Sequence, residues 1–454
     1  MPRLRLVPRA AWLALLVVLL VGGGIRYHEA THPVPSNELS ADARSYTTIA
    51  QHLATTGNYA GRNGRLKALH WPPATPQVFA LAYGVQSTLG GHDAPRYRDD
   101  VRVLHYAQFA ISTLTLLVVF VLGWVLAGPW AGVAAAAVLA VYPPAYWGPG
   151  NLLSEPLGAL MVTSALTAVA LAWRTRLLAW WGTAGALFGG VLLTRTDLLF
   201  VPALLALTAL LWLGSTVSWR RGLQSAGLLV GLCAVVVLPW TIQASDTAGK
   251  LVPVTNGGGS AFFVGTYLPG NGSTYDMKFA LLDEIRATYP GKFDHTDYKQ
   301  IPAELVLNMV ARRHPDLPRD EALMKEARQN VVDALGHPVE LTGMGVFKLG
   351  KMWFRATLGG SSTPMPVVRI THVILILVAF IGLLYGVLRR RHPGLVAILL
   401  TIATATGVHL IAVAHGRYNL PLMPILIAGG AAGWALWIEG WRQRRRARAT
   451  AAAA

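Results

Sequence analysis

Residues 38–76 read ELSADARSYTTIAQHLATTGNYAGRNGRLKALHWPPATP, and the rest of the chain looks like a membrane scaffold for this segment. Ser40 suits a helix N-cap, where its hydroxyl accepts from an unpaired backbone N–H of the first turn. Behind it, Tyr46, Ile49, Ala50 and Leu53 fall at the spacing of one helical face, and Gly57 supplies a stop. Asp42 stands four residues before Tyr46 and seven before Ile49, so it points the same way as that apolar stripe. An acid in a first turn also complements the helix dipole, by about 0.3–1 kcal/mol. A carboxylate placed only for the dipole, however, more often lies on the solvated side. Further on, His70-Trp71-Pro72-Pro73 makes a stiff corner, because each proline fixes its own φ and restricts the residue before it.

Hydrophobic residues are 53% of the chain and charged residues only 13%, the composition of an all-α polytopic membrane protein. The net charge of +17 does not indicate nucleic acid, because the arginines sit in short clusters between apolar runs and read as topology signals. The single cysteine, Cys233, excludes an intrachain disulfide. There is no zinc-finger spacing, Walker loop or dinucleotide fingerprint.

A bilayer takes about 20 apolar residues per helix. Candidate spans lie near 10–25, 103–126, 129–147, 155–173, 178–194, 198–215, 223–243, 366–388, 394–413 and 419–439, about ten transmembrane helices. With that number, the clusters Arg3/Arg5/Arg9, Arg174/Arg176, Arg220/Arg221, Arg389–Arg391 and Arg442–Arg448 all fall on the cytoplasmic side. A short first run behind basic residues is also the form of a cleaved signal peptide, and either reading leaves Asp42 outside.

Two outward-facing regions follow, and with them three domains: an N-terminal membrane region, 1–243, holding the first outer loop, 26–102; an outer, mostly helical loop domain, 244–365; and C-terminal membrane helices with a basic tail, 366–454. In the outer domain, Lys250 to Gly265 reads as an extended run or strand entering a glycine turn that permits close backbone approach. Residues 302–314, 319–336 and 338–355 have helical periodicity.

The pattern Asp-x-x-x-Tyr-x-x-Ile-Ala-x-x-Leu-Ala-x-x-Gly-x-Tyr, followed by Trp-Pro-Pro-x-x-Pro, resembles the first outer loop of membrane-embedded C-type (GT-C) glycosyltransferases. These include the protein O-mannosyltransferases and the transferase that adds aminoarabinose to lipid A. Further anchors lie at 153–156, 193–197, 239–265 and 417–424, so the resemblance covers nearly the whole chain. It implies transfer of a sugar from a polyprenyl-phosphate donor to a hydroxyl on a lipid, glycan or protein. The reaction would invert at the anomeric carbon, at the outer face of a bacterial cytoplasmic membrane and among membrane lipids.

Such a transferase needs a base for the acceptor hydroxyl, a cation for the departing phosphate and a greasy groove. Asp42 is the candidate base by its match to the family's first-loop aspartate. Many relatives carry a second acid beside it, where this chain has Ala43. Glu155, before Pro156, is the second catalytic candidate, although Ser154 as N-cap and an acid in the first turn explain the pair structurally.

Arg417-Tyr418, in His415-Gly416-Arg417-Tyr418-Asn419-Leu420-Pro421, resembles the family's Arg-Tyr-x-x-Pro-x-x-Pro signature. Arg417 is the candidate phosphate ligand, since a guanidinium grips phosphate through paired hydrogen bonds. A snorkelling interfacial Arg beside a belt Tyr fits equally. Arg195 interrupts an apolar stretch where relatives keep an Arg, with Asp197 as an available partner. Tyr46, Lys67, His70 and Trp71 complete the substrate-binding candidates; Lys67 suits an anionic lipid head, and His70 is equally read as a solvated loop histidine. A divalent metal is admitted by the resemblance, with His70 and Glu155 as candidate ligands. The competing function is a transporter or flippase of lipid-linked sugars. Ionisable groups gathered at outer helix ends, rather than at the midplane, favour the transferase.

Overall fold

A computed structural model describes residues 7–35, 38–62, 64–90, 101–355 and 366–453, and these are mostly helical with no β-strand among them. Eight helical segments are long and apolar enough to cross a membrane. They are α1 (Arg9–Thr31), α4 (Arg102–Ala127), α6 (Glu155–Thr175), α8 (Val201–Thr216, with the turn before it), α9 (Trp219–Ala248), α13 (Pro366–Arg390), α14 (Pro393–Ile411) and α15 (Met423–Ala453). Between them stand α2 (Ala41–Thr56), α3 (Ala74–Gly90), α5 (Pro129–Val141), α7 (Leu178–Thr194), and in the second loop region α10 (Gly258–Thr266), α11 (Arg319–Leu335) and α12 (Pro338–Phe354).

Two of the ten expected spans, 129–147 and 178–194, are therefore shorter than a full crossing. The reason in the first case is Pro143-Pro144: Tyr142 turns extended, and only a one-turn helix, Pro143–Tyr146, follows. That break frees carbonyls at the end of α5, and Arg26 of α1 meets them. Its guanidinium donates to Leu139 O and Ala140 O, both at 3.0 Å, and to Ser112 Oγ at 2.9 Å. A buried Arg inside an apolar helix is tolerated only with such partners, and α1 consequently runs past the expected end at residue 25.

The bundle has a clear inside. In α6, 78% of the apolar window is buried, against 22% in α1 and α9, so α6 is the central helix and the other two present lipid-facing flanks. Its own Val162, Ala165 and Leu166 share one apolar core with Val119, Phe188 and Ile425. What α6 carries at its ends is thereby fixed in place. At one end, Arg174 donates to Val125 O, Arg221 to Arg176 O, and Arg390 to Leu436 O at 3.1 Å. The basic clusters at 174–176, 220–221, 389–391 and 442–448 thus gather at a single end of the bundle; Arg3 and Arg5 lie outside the described residues. Glu155 is at the other end.

The second loop region has its own core, with Phe263, Met277, Ile285, Val306, Val310 and Leu323 buried together. Its expected helices are present as Ala303–Ala311, α11 and α12. Of the two readings of the stretch from Lys250, strand or extended run, no strand forms, and Gly258 opens α10 in place of the expected glycine turn. That stretch is irregular because its backbone groups bond to loops and side chains instead of a neighbouring strand. Val254 O accepts from Trp240 Nε1 at 2.7 Å, Pro253 O from Thr241 Oγ1 at 2.6 Å, and Asn256 N donates to Leu69 O at 3.0 Å. With Asn256 Nδ2 on Leu66 O at 3.0 Å, the second loop region is stitched onto the first, over the mouth of the bundle.

Candidate active site

α2 forms as its sequence predicts. Ser40 accepts from Ala43 N at 3.2 Å, and Gly57 closes the helix at φ +70°. The stripe of Tyr46, Ile49 and Ala50 is buried, so Asp42, on the same side, is drawn inward to the head of the bundle. The Trp-Pro-Pro corner is held by Tyr59, whose hydroxyl donates to Trp71 O at 3.0 Å and whose ring meets Trp240 edge-on at 4.7 Å. Gly257 packs against this corner so closely that a Cβ would fall 2.1 Å from His70 Nδ1.

A cavity of about 430 Å³ opens there. Asp42, Tyr46, His70, Trp71, Glu155, Arg195, Arg417 and Tyr418 all line it. Of the residues expected from the sequence, Lys67 alone stands elsewhere: it lines a neighbouring cavity and pairs with Glu304 at 3.2 Å. The far wall is apolar, with Leu199, Phe200 and Phe262 partly exposed.

Inside the cavity the charged side chains form an alternating chain. Asp42 accepts a hydrogen bond from Arg417 Nη2. Arg417 Nε lies 3.4 Å from Glu155 Oε1, and Arg195 Nη1 lies 3.8 Å from the same oxygen. Arg195 then grips Asp197 with two bonds, Nε to Oδ1 at 3.0 Å and Nη2 to Oδ2 at 2.9 Å. Asp197 Oδ2 also receives His409 Nε2 at 3.0 Å, while His409 Nδ1 faces Val413 O at 2.9 Å. The carboxyl groups of Asp42, Glu155 and Asp197 thus alternate with the guanidinium groups of Arg417 and Arg195, the pairing a low-dielectric site requires. Tyr418 packs within the chain: its ring stacks on His409 at 4.6 Å, with the Arg195 guanidinium 5.5 Å from its centre.

Burial pushes the Asp42 carboxyl upward, but the charge and hydrogen bond of Arg417, with a hydrogen bond from Trp71, outweigh it and hold Asp42 below its ordinary value. Asp42 is therefore ionised at neutral pH. His415, beside Arg417, is pushed down to about 3 by burial and by the charges of Arg417 and Lys351, so it is neutral there. Tyr46 is raised by burial first and then by Asp42, and stays a phenol.

Three expectations are sharpened. Ser154 makes no side-chain cap bond at the head of α6, so the capping explanation of Ser154-Glu155 loses half its content. Arg195 does pair with Asp197, yet the pair extends through Glu155 into the cavity. Arg417 presents its Nε/Nη2 edge to carboxylates, which leaves its remaining N–H groups for any further ligand. His409 was missed: in sequence it is one histidine in an apolar helix, and only the fold brings Asp197 to it.

Among the described residues no three His, Cys, Asp or Glu side chains converge, so a divalent ion has no all-protein cage. Glu155 Oε2 is nevertheless buried without a partner, an atom with coordination to spare.

No protein-family model matches the chain, and no curated protein matches it by sequence. Solved structures do. The archaeal oligosaccharyltransferase AglB from Archaeoglobus fulgidus, in complex with an inhibitory peptide and a dolichol-phosphate, is 14% identical, with TM-score 0.53 over 97% of this chain and 52% of that one. The chain has the C-type membrane glycosyltransferase fold. It spans about half the length of the archaeal enzyme. The zinc and sulfate complex of the Archaeoglobus fulgidus oligosaccharyltransferase gives TM-score 0.50 at 15% identity, over 94% of this chain and 51% of that one. ArnT from Cupriavidus metallidurans bound to undecaprenyl phosphate is 15% identical over 94% of this chain and 78% of that one, with TM-score 0.43, too low to argue from.

Proposed function

We propose that this C-type chain is a glycosyltransferase that moves a sugar from a polyprenyl-phosphate donor to an acceptor hydroxyl at the non-cytoplasmic face of a membrane. One observation carries the reading. An ionised carboxylate, Asp42, sits in a cavity with paired guanidinium groups at one mouth of a membrane bundle, against an apolar wall. The basic clusters at the opposite end support the orientation, since such clusters stay cytoplasmic.

In this reading the polyprenyl chain lies along Leu199, Phe200 and Phe262, with its phosphate at the free N–H groups of Arg417. The acceptor oxygen attacks the anomeric carbon from the side opposite the phosphate. Its C–O bond forms as the sugar–phosphate C–O bond breaks, the electron pair leaves on the polyprenyl phosphate, and the hydroxyl proton passes to Asp42. A carboxylate held below its ordinary value is a weak base, which suits a step in which cationic character at the sugar makes the hydroxyl acidic late. Asp42 also faces that developing positive charge. Arg417 serves both ends: it keeps Asp42 ionised and neutralises charge on the leaving phosphate.

A divalent ion, if the reaction uses one, would be held by Glu155, with His70 on the same cavity wall, and completed by the donor phosphate in the way hard cations bind. It would supply further neutralisation of the leaving group. The test of the function is to offer membranes containing the protein a panel of radiolabelled polyprenyl-phosphate sugars, with and without a chelator. Label passing from donor to acceptor supports the reading; donor that only changes leaflet, with its sugar–phosphate bond intact, overturns it in favour of transport.

A further inference from the structure

A second cavity, of about 220 Å³, adjoins the first. Its wall is a different face of α2: Ala41, Arg44, Ser45 and Thr48 line it, at the three- and four-residue spacing of one helical side. Asp42 and Tyr46 look into the first cavity instead. Trp71 lines both, so one indole separates them.

The two cavities differ in electrical balance. In the first, Asp42, Glu155 and Asp197 are interleaved with Arg417 and Arg195. Among the described residues the second is lined by Arg44, Arg62 and Lys67 and by no acid. Lys67 is partly compensated by Glu304 at 3.2 Å, whereas Arg44 and Arg62 have no ion-pair partner among the described residues. Two uncompensated guanidinium groups beside the hydroxyls of Ser45 and Thr48 make a set of donors with no acceptor of matching charge. Arginine forks match the oxygens of a phosphate in spacing and plane. The apolar wall of Leu199, Phe200 and Phe262 that suits a polyprenyl chain belongs to the first cavity; the second offers Ile49, two alanines and the face of the shared Trp71.

We propose that this second cavity binds a phosphate group on the acceptor, so that the acceptor's free hydroxyl is delivered past Trp71 to Asp42. The inference rests on the transferase reading and names the acceptor's chemical class within it. Charge steering by the same cations would also draw an anionic acceptor from solution or from the membrane surface.

The test is equilibrium binding to the full chain in phosphatidylcholine nanodiscs at fixed ionic strength. The probes are octyl glucoside, octyl glucoside 6-phosphate and, as a lipid source of the same group, nanodiscs doped with phosphatidylglycerol. The phosphorylated glycoside is expected to bind about tenfold or more tighter than the neutral one, the scale of one or two charge-assisted hydrogen bonds. Arg44→Gln/Arg62→Gln should abolish that preference and Arg44→Lys/Arg62→Lys should restore part of it, which separates charge recognition from misfolding. Equal binding of the two glycosides, or a preference that survives the Gln pair, overturns the proposal. Competition by phosphatidylglycerol alone, with no preference among the glycosides, overturns it as an acceptor site and marks the cavity as a lipid contact. Selective binding by a wild-type protein that transfers no sugar overturns the transferase reading, and the acceptor assignment falls with it.

Discussion

Arg417 hydrogen-bonds Asp42 although the two stand 375 positions apart in the chain. This contact ties the helix of the first loop to the turn between α14 and α15, and with Glu155 at 3.4 Å from the same guanidinium it brings in the head of α6. Three chain segments that are apolar scaffold elsewhere thus converge through one cation. In the proposed mechanism that cation sets the protonation of the base.

The pH dependence follows with a definite sign. Asp42 is ionised above its depressed pKa, so activity that needs the carboxylate falls only as pH drops through a value below the ordinary carboxylate range. Arg417→Gln removes the charge that pulls Asp42 down while leaving its burial, which pushes it up. The acid limb of transfer should therefore move to higher pH in the variant. Between about pH 4 and about pH 8 the wild type should show no loss towards the acid end while the variant does; profiles of the same shape would contradict the coupling.

The corner at His70 makes a steric prediction. Gly257 has an ordinary φ of −96°, so alanine there meets no backbone strain, only the imidazole 2.1 Å away. Gly258, one position on, has nothing closer than Met324 at 4.0 Å. Gly257→Ala should disturb His70 and lower transfer several-fold, and Gly258→Ala should not, as paired assays on matched amounts of folded protein would show. Equal activity in both variants would free the site from this contact.

The first-loop helix was legible because every local signal agreed: Ser40 as cap, the stripe from Tyr46 to Ala50, and Gly57 as stop. Asp42's inward direction followed from period alone. The strand alternative for the stretch from Lys250 fails because valines favour strands locally, while its carbonyls are claimed by Trp240 and Thr241, partners no local pattern reveals. The shortening of the 129–147 span was written in Pro143-Pro144 and outweighed by the apolar run around it. His409 and the role of Arg26 were invisible for a common reason: each is a lone polar residue in an apolar helix, and its partners lie on other helices.

Asp197 should matter for stability. It is shared by Arg195 and His409, and all three side chains are largely buried. Asp197→Asn leaves the Arg195 guanidinium without its two-bonded carboxylate, and removing one partner of a buried pair costs about 3–5 kcal/mol. Thermal unfolding in detergent should show a clear drop in Tm. An unchanged Tm would mean the chain of charges is not a structural unit.

The orientation can be checked separately. A reporter active only outside the cytoplasm should work when fused at residue 300 and fail at residue 450, because the basic clusters gather at the end opposite the candidate site. Activity at 450 alone would invert the reading.

The central claim is that the Asp42 carboxylate takes the acceptor's proton. Asp42→Asn keeps the shape and can still accept a hydrogen bond from Arg417, but it cannot act as a base. The measurement is the rate of sugar transfer by the purified variant at saturating donor, beside donor binding and Tm. Loss of a general base costs about 10²–10⁴ in rate, whereas loss of a dipole partner costs at most about 1 kcal/mol of stability and leaves chemistry intact. The predicted result is a folded protein that binds donor and scarcely transfers it. A variant turning over at more than about half the wild-type rate, far outside that range, would contradict the account.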